Sequence, residues 1–144
     1  MEKYVEQLCS ASPVPLRLLT WIVRGLNDNR KIRKVVPYLR TTYRHTIDVA
    51  VLKEMHLAPS DKEEMQQRMQ GSVCVAGFTS HARGVLIWVR KGEGISLQEM
   101  CADPAGRYVV AKYTIGKCML LVVGVYGPNY DDPKFYNDLS TRLQ

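Results

Sequence analysis

A mixed α+β fold built on a mixed sheet is predicted by three observations. Apolar, β-branched runs such as 49–52, 85–89 and 118–125 each stop at polar residues or at a Gly/Pro turn, as buried strands do. A segment of helical period separates the runs 16–23 and 47–54, the β-α-β pattern of neighbouring strands that can lie parallel. Gly116-Lys117 turns one run directly into the next, as a tight hairpin does. With 144 residues, 46% of them hydrophobic, the chain can bury the core of an ordinary domain.

Residues 1–15 read as a lead or linker separate from the domain at 16–144. A short helix is predicted over Glu2–Leu8, and Ser10-Ala11-Ser12-Pro13-Val14-Pro15 cannot continue it. Leu16 to Val23 is the first strand of the domain. Asn27-Asp28-Asn29 offers helix-capping side chains, and Arg30 to Arg44 carries Ile32, Val35, Val36 and Leu39 on one face. Pro37 lies inside that helix and costs about 3 kcal/mol there, which predicts a kink or a break. Ile47 to Glu54 is the second strand. Ser60-Asp61-Lys62-Glu63 matches a capping box, so a helix should run from Asp61 to Met69 and end before Gly71. Ser72 to Phe78 and Val85 to Arg90 read as antiparallel neighbours. Ser96 to Cys101, Arg107 to Ile115 and Cys118 to Tyr126 are further strands, and Pro133 to Leu143 is a helix opened by Asp132 or Pro133.

The net charge of +6 favours polyanionic partners. Much of it lies in Arg24, Arg30, Lys31, Arg33, Lys34, Arg40 and Arg44, either the solvated face of a helix or a surface for DNA backbone contact. Cys9, Cys74, Cys101 and Cys118 have no C-x-x-C spacing and no histidine at metal-ligand distance. Together with the lack of an apolar leader this predicts an intracellular protein of cytoplasm or nucleus, not a secreted one. Met119–Val123, the most apolar run, is far too short for a membrane span. His56 follows a strand, His45 and His81 show no partners, and Trp21 and Trp88 read as core anchors.

Three segments carry a resemblance. In order and spacing, Thr20-Trp21-Ile22-Val23-Arg24-Gly25-Leu26-Asn27, Val49-Ala50-Val51-Leu52-Lys53-Glu54-Met55-His56-Leu57 and Val123-Gly124-Val125-Tyr126-Gly127-Pro128-Asn129 resemble the first three motifs of the endonuclease/exonuclease/phosphatase superfamily. The closest match is the endonuclease domain of non-LTR (long interspersed element) retrotransposons. The likeness continues through Ala82-Arg83-Gly84-Val85-Leu86-Ile87-Trp88-Val89 and Asp103-Pro104-Ala105-Gly106-Arg107-Tyr108-Val109. It implies the N-terminal part of a four-layer α/β/β/α sandwich of DNase I type, with the second sheet largely missing. It also implies Mg²⁺-dependent hydrolysis of a DNA phosphodiester. In that scheme Glu54 is the metal ligand, Tyr126 the catalytic contact to the scissile phosphate and Asn129 the catalytic amide beside it. Arg24, Arg30, Lys31, Arg33 and Lys34 are the candidate nucleic-acid contacts.

Departures from the family pattern predict an inactive, degenerate and truncated chain. Ile22 replaces the first-motif asparagine, Lys53 and Met55 flank Glu54 where Gln and Thr are expected, and neither Gly-Asp-x-Asn nor Ser-Asp-His occurs. Alternation should point Lys53 away from the Glu54 face. The rival reading is a non-catalytic module that binds nucleic acid or protein. The missing half predicts an uncovered sheet face, drawn from alternate residues of 18–23, 49–52, 85–89 and 118–125, and self-association through it.

Overall fold

The computed structural model describes residues 3–8, 16–25, 29–39, 47–79, 81–90, 92, 94–128 and 131–144, with backbone alone for 3–8 and 29. Asn129, the candidate cap Asn27-Asp28, Arg40, Arg44, His45 and Cys9 lie outside the described residues.

Two sheets form. The first has the order β1-β2-β3-β5-β4, from β1 (Lys3–Leu8), β2 (Leu16–Ile22), β3 (Val49–Lys53), β4 (Gly71–Ala76) and β5 (Val85–Arg90). The second is the meander β6 (Ile95–Ala102), β7 (Tyr108–Ile115) and β8 (Cys118–Val125). As the β-α-β pattern predicts, β2 and β3 are parallel, with Trp21 opposite Leu52 and Ile22 opposite Lys53. The pairs β4–β5 and β7–β8 are antiparallel.

The helix predicted at Glu2–Leu8 is instead strand β1, antiparallel to β2 from Lys3–Trp21 to Leu8–Leu16. An isolated helix that short is marginal in water, whereas an edge strand gains a full ladder from a partner already in place. Helix α1 (Asn29–Pro37) carries Pro37 as its last residue and is followed by a π-helical turn at 38–39, and the rest of the predicted 30–44 lies outside the described residues. Helix α2 (Lys62–Met69) follows a tight turn at Pro59–Asp61. The capping box is displaced from Ser60. The Asp61 carboxylate accepts the Ala58 N–H at 2.9 Å while Asp61 N–H donates back to Ala58 O at 2.9 Å. Helix α3 (Pro133–Arg142) opens as predicted, with Asp132 Oδ1 accepting the Phe135 N–H at 3.2 Å.

These elements stack in four layers. On one face of the first sheet, Ile32, Val35, Val36 and Leu39 of the α1 segment and Met65 and Met69 of α2 pack against Leu19, Trp21, Ala50, Leu52, Val73, Val75, Leu86 and Trp88. Trp21 meets Tyr38 edge-on at 5.3 Å, and Trp88 Nε1 donates to Met69 O at 3.3 Å, so both indoles are core anchors. On the opposite face, Val49, Val51, Val85, Ile87 and Val89 interdigitate with Val109, Ala111, Tyr113 and Val122 of the second sheet. Helix α3 covers one end of that sheet's outer face through Leu139 against Tyr108 and Val110.

The inter-sheet layer corrects the expected uncovered face. Val51, Val85, Ile87 and Val89 are buried, because the meander supplies three strands of cover where the second sheet was expected to be largely missing. The sheets touch most closely at Gly124, where an added Cβ would lie 2.8 Å from Val85 Cγ1 and 2.9 Å from Val51 Cγ1. Among the described residues, the large hydrophobic side chains that remain exposed are Met119 and Leu121 on β8 and scattered single ones.

Candidate functional site at one rim of the sandwich

Parallel β2 and β3 deliver their C-terminal ends to the same rim, where the segments after them are stapled side by side. Gly25 N–H donates to Glu54 O at 2.6 Å, and Val23 N–H to Lys53 O at 3.0 Å. Met55 N–H donates to Gly84 O at 3.0 Å and His56 N–H to Arg83 O at 2.8 Å, and Gly84 N–H reaches Gly106 O at 3.0 Å. This ladder joins the ends of β2 and β3, the start of β5 and the β6–β7 turn.

The backbone here is unusual. Arg24, Glu54, His56 and Arg83 have φ of 54°, 55°, 56° and 60°, the left-handed region. Each such non-glycine residue costs on the order of 1 kcal/mol and persists only where its surroundings hold it. Strain of this kind concentrates at functional sites.

Glu54 leaves the alternation of β3 through its positive φ, and its Oε1 accepts the Tyr126 hydroxyl proton at 2.7 Å across 72 positions of sequence. Two of the three residues to which the resemblance assigned roles are therefore in direct contact, and the third, Asn129, lies outside the described residues. The Glu54 carboxylate, as acceptor, raises the Tyr126 pKa above the ordinary phenol range; partial burial and the Glu54 charge add to this, while Arg107 and Arg83 oppose it. No ion pair joins Lys53 to Glu54 among the described residues.

Arg83 and Arg107 are the residues that sequence reasoning missed. Arg107 N–H is held by Asp103 Oδ2 at 3.2 Å, its Nη1 lies 3.5 Å from Tyr126 O, and Tyr126 N–H donates to Arg107 O at 2.7 Å. Arg83 Nη1 donates to Ala105 O at 3.1 Å. Their only sequence signal is an arginine beside a glycine just before a strand, in Arg83-Gly84 and Gly106-Arg107.

The basic cluster divides. Lys31 Nζ donates to Val23 O at 3.2 Å and to Arg24 O at 2.7 Å, which ties α1 to the rim. Arg24, Arg30, Arg33 and Lys34 are exposed. His56 packs its ring against Gly25, where an added Cβ would stand 2.9 Å from Nδ1. Ile22 sits one strand over from Lys53, partly buried.

Mg²⁺ prefers an octahedron of oxygens, with one or two carboxylates and several waters. Among the described residues no group of three or more His, Cys, Asp or Glu side chains is placed to hold a metal ion. Glu54 supplies a single carboxylate with one oxygen engaged by Tyr126, while both Asp103 oxygens accept backbone N–H groups. The described residues thus offer one ligand, not a metal centre.

No protein-family model matches the chain. Among solved structures it is similar to the AP endonuclease LMAP from Leishmania major, with 18% identity and a TM-score of 0.61, covering 90% of this chain and 44% of that one. The fold is DNase I-like. The chain is also similar to D. rerio TDP2 complexed with a single-strand DNA product, at 17% identity and a TM-score of 0.56, covering 89% of this chain and 52% of that one. A third likeness is to the 3′ phosphatase NExo from Neisseria bound to a product DNA hairpin, at 24% identity and a TM-score of 0.54, covering 85% and 47%. The chain spans about half the length of these structures. Of these three neighbours one is named as an AP endonuclease and one as a 3′ phosphatase, and two are complexes with a DNA product.

Proposed function

We propose that this rim is half of a DNA phosphodiester-hydrolysing site, in which Glu54 is the metal-side carboxylate, Tyr126 the phosphate contact and Asn129 the amide beside it. The observation that carries the reading is the 2.7 Å contact between Tyr126 and Glu54 at the strained rim of a DNase I-like fold. A phenol has a single proton, which a phosphoryl oxygen can accept in place of Glu54 once a phosphate enters, and two nearby guanidiniums favour that anion.

The lineage proposed is that of retroelement endonucleases, supported by Arg24-Gly25-Leu26-Asn27 and Gly84-Val85-Leu86-Ile87-Trp88. The 144 residues alone are inactive in this reading, since Ile22 replaces an amide donor and no water-activating Ser-Asp-His motif is among them. Mg²⁺ binding is correspondingly weak. An intracellular setting belongs to the proposal and rests on the thiols of Cys74 and Cys101. Self-association is assigned to the outer face of the second sheet, where Met119 and Leu121 of β8 are exposed opposite the buried side of that strand.

The test is plasmid nicking with Mg²⁺ or Mn²⁺, paired with oligonucleotide binding. No nicking is expected, and binding should weaken on Tyr126→Phe. Nicking that Glu54→Gln abolishes overturns the inactivity. Binding indifferent to Tyr126 overturns the site. The second reading, a non-catalytic nucleic-acid module, is favoured by the exposed cations Arg33 and Lys34 on α1.

A further inference from the structure

Phe78, two residues past β4, is 39% exposed and belongs to none of the three hydrophobic clusters. A lone exposed phenylalanine is unexceptional. This one is held from two sides. Its Cβ lies over Gly106, where an added Cβ would come within 2.6 Å, and the Arg83 guanidinium carbon sits 4.4 Å from its ring centroid. Phe78 N–H donates to Leu57 O at 2.9 Å, fixing the ring's stem beside the segment that follows Glu54.

Arg83 links the ring to the rim. It keeps its left-handed backbone, bonds Ala105 O, and its charge acts on the Tyr126 hydroxyl. Arg83 lies over one face of the Phe78 ring and so builds a short stack, and an aromatic face or a guanidinium plane is the surface on which proteins stack unpaired bases. In duplex DNA those base faces are hidden within the stack.

We infer that Phe78 and Arg83 form a stacking platform for one unpaired base of a single-stranded DNA whose phosphate lies at Tyr126. The inference rests on the reading of the rim as a DNA site. Stacking is tolerant of sequence, so the platform selects for strandedness and not for a particular base.

Anisotropy titrations of the full chain at one salt concentration test it, with labelled oligothymidylate and a strand of equal length built from abasic residues. Phe78→Ala should weaken oligothymidylate binding roughly tenfold and leave the abasic strand unaffected. Phe78→Trp should bind oligothymidylate like the unaltered protein, and its added emission should be quenched by that strand but not by the abasic one. If Phe78→Ala binds both strands normally, or the Phe78→Trp emission ignores oligothymidylate, the platform is wrong while the DNA reading stands. If the unaltered protein binds neither strand, both fall.

Discussion

Asp48 and Arg90 clamp the end of the first sheet opposite the candidate site. Arg90 Nη2 lies 2.8 Å from Asp48 Oδ1, and Asp48 Oδ2 accepts the Arg17 N–H at 2.9 Å. Backbone bonds repeat the connection, from Asp48 N–H to Arg17 O and from Arg90 N–H to Asp48 O, each at 3.0 Å. Three strands are thereby fixed in register around one buried carboxylate.

Asp48→Ala should lower the unfolding free energy by about 3 kcal/mol, because it leaves Arg90, with 17% of its side chain exposed, without its carboxylate. Urea denaturation checks this. A loss below about 0.5 kcal/mol would show the pair to be a surface ion pair in effect.

Gly124→Ala should cost about 1–3 kcal/mol, since its methyl group would enter the contact with Val85 and Val51. Val51→Ala made in the same chain should recover part of that cost. Additive losses in this double-mutant comparison would place the strain elsewhere.

Tyr126 should ionise above the ordinary phenol value of about 10, and Glu54→Gln should bring it down. The folded chain then holds this proton more tightly than the unfolded one, so its contribution is complete below about pH 10 and is lost as pH rises through the folded value. Ultraviolet difference titration against Tyr126→Phe isolates the group from the other tyrosines. A titration unchanged by Glu54→Gln would refute the hydrogen bond.

Neutralising Arg33 and Lys34 together should weaken DNA binding and flatten its salt dependence by about two phosphate contacts. Lys31→Ala should instead reduce thermal stability, because its ammonium serves Val23 O and Arg24 O. Equal effects of all three on binding alone would mean that Lys31 is free to leave the rim.

Much of the architecture was legible because it obeys simple periods. Val85–Arg90 and the helix opened by Asp132 follow their sequence signals closely. Strand β1 was missed since its stability comes from pairing with β2, which local propensity does not encode. The covered sheet face was missed for the same reason. Val109, Ala111 and Tyr113 alternate as an inward face should, but nothing local says which sheet they meet. At the site, Glu54 and Tyr126 were found through resemblance alone, their contact spanning 72 positions. Arg83 and Arg107 lie in the connections just before strands, where no period operates.

The second sheet is one unbroken meander, 95–125, whose strands pair only with their chain neighbours. Its loops are cheap to close, so it is expected to assemble early in folding and to wait for the rest. The first sheet asks for more, because β3 must find both β2 and β5 across long separations. The slow step therefore belongs to the part of the chain that carries Glu54, and mutations in the early-formed β8, whose contacts are already made at that step, should retard refolding and leave unfolding little changed.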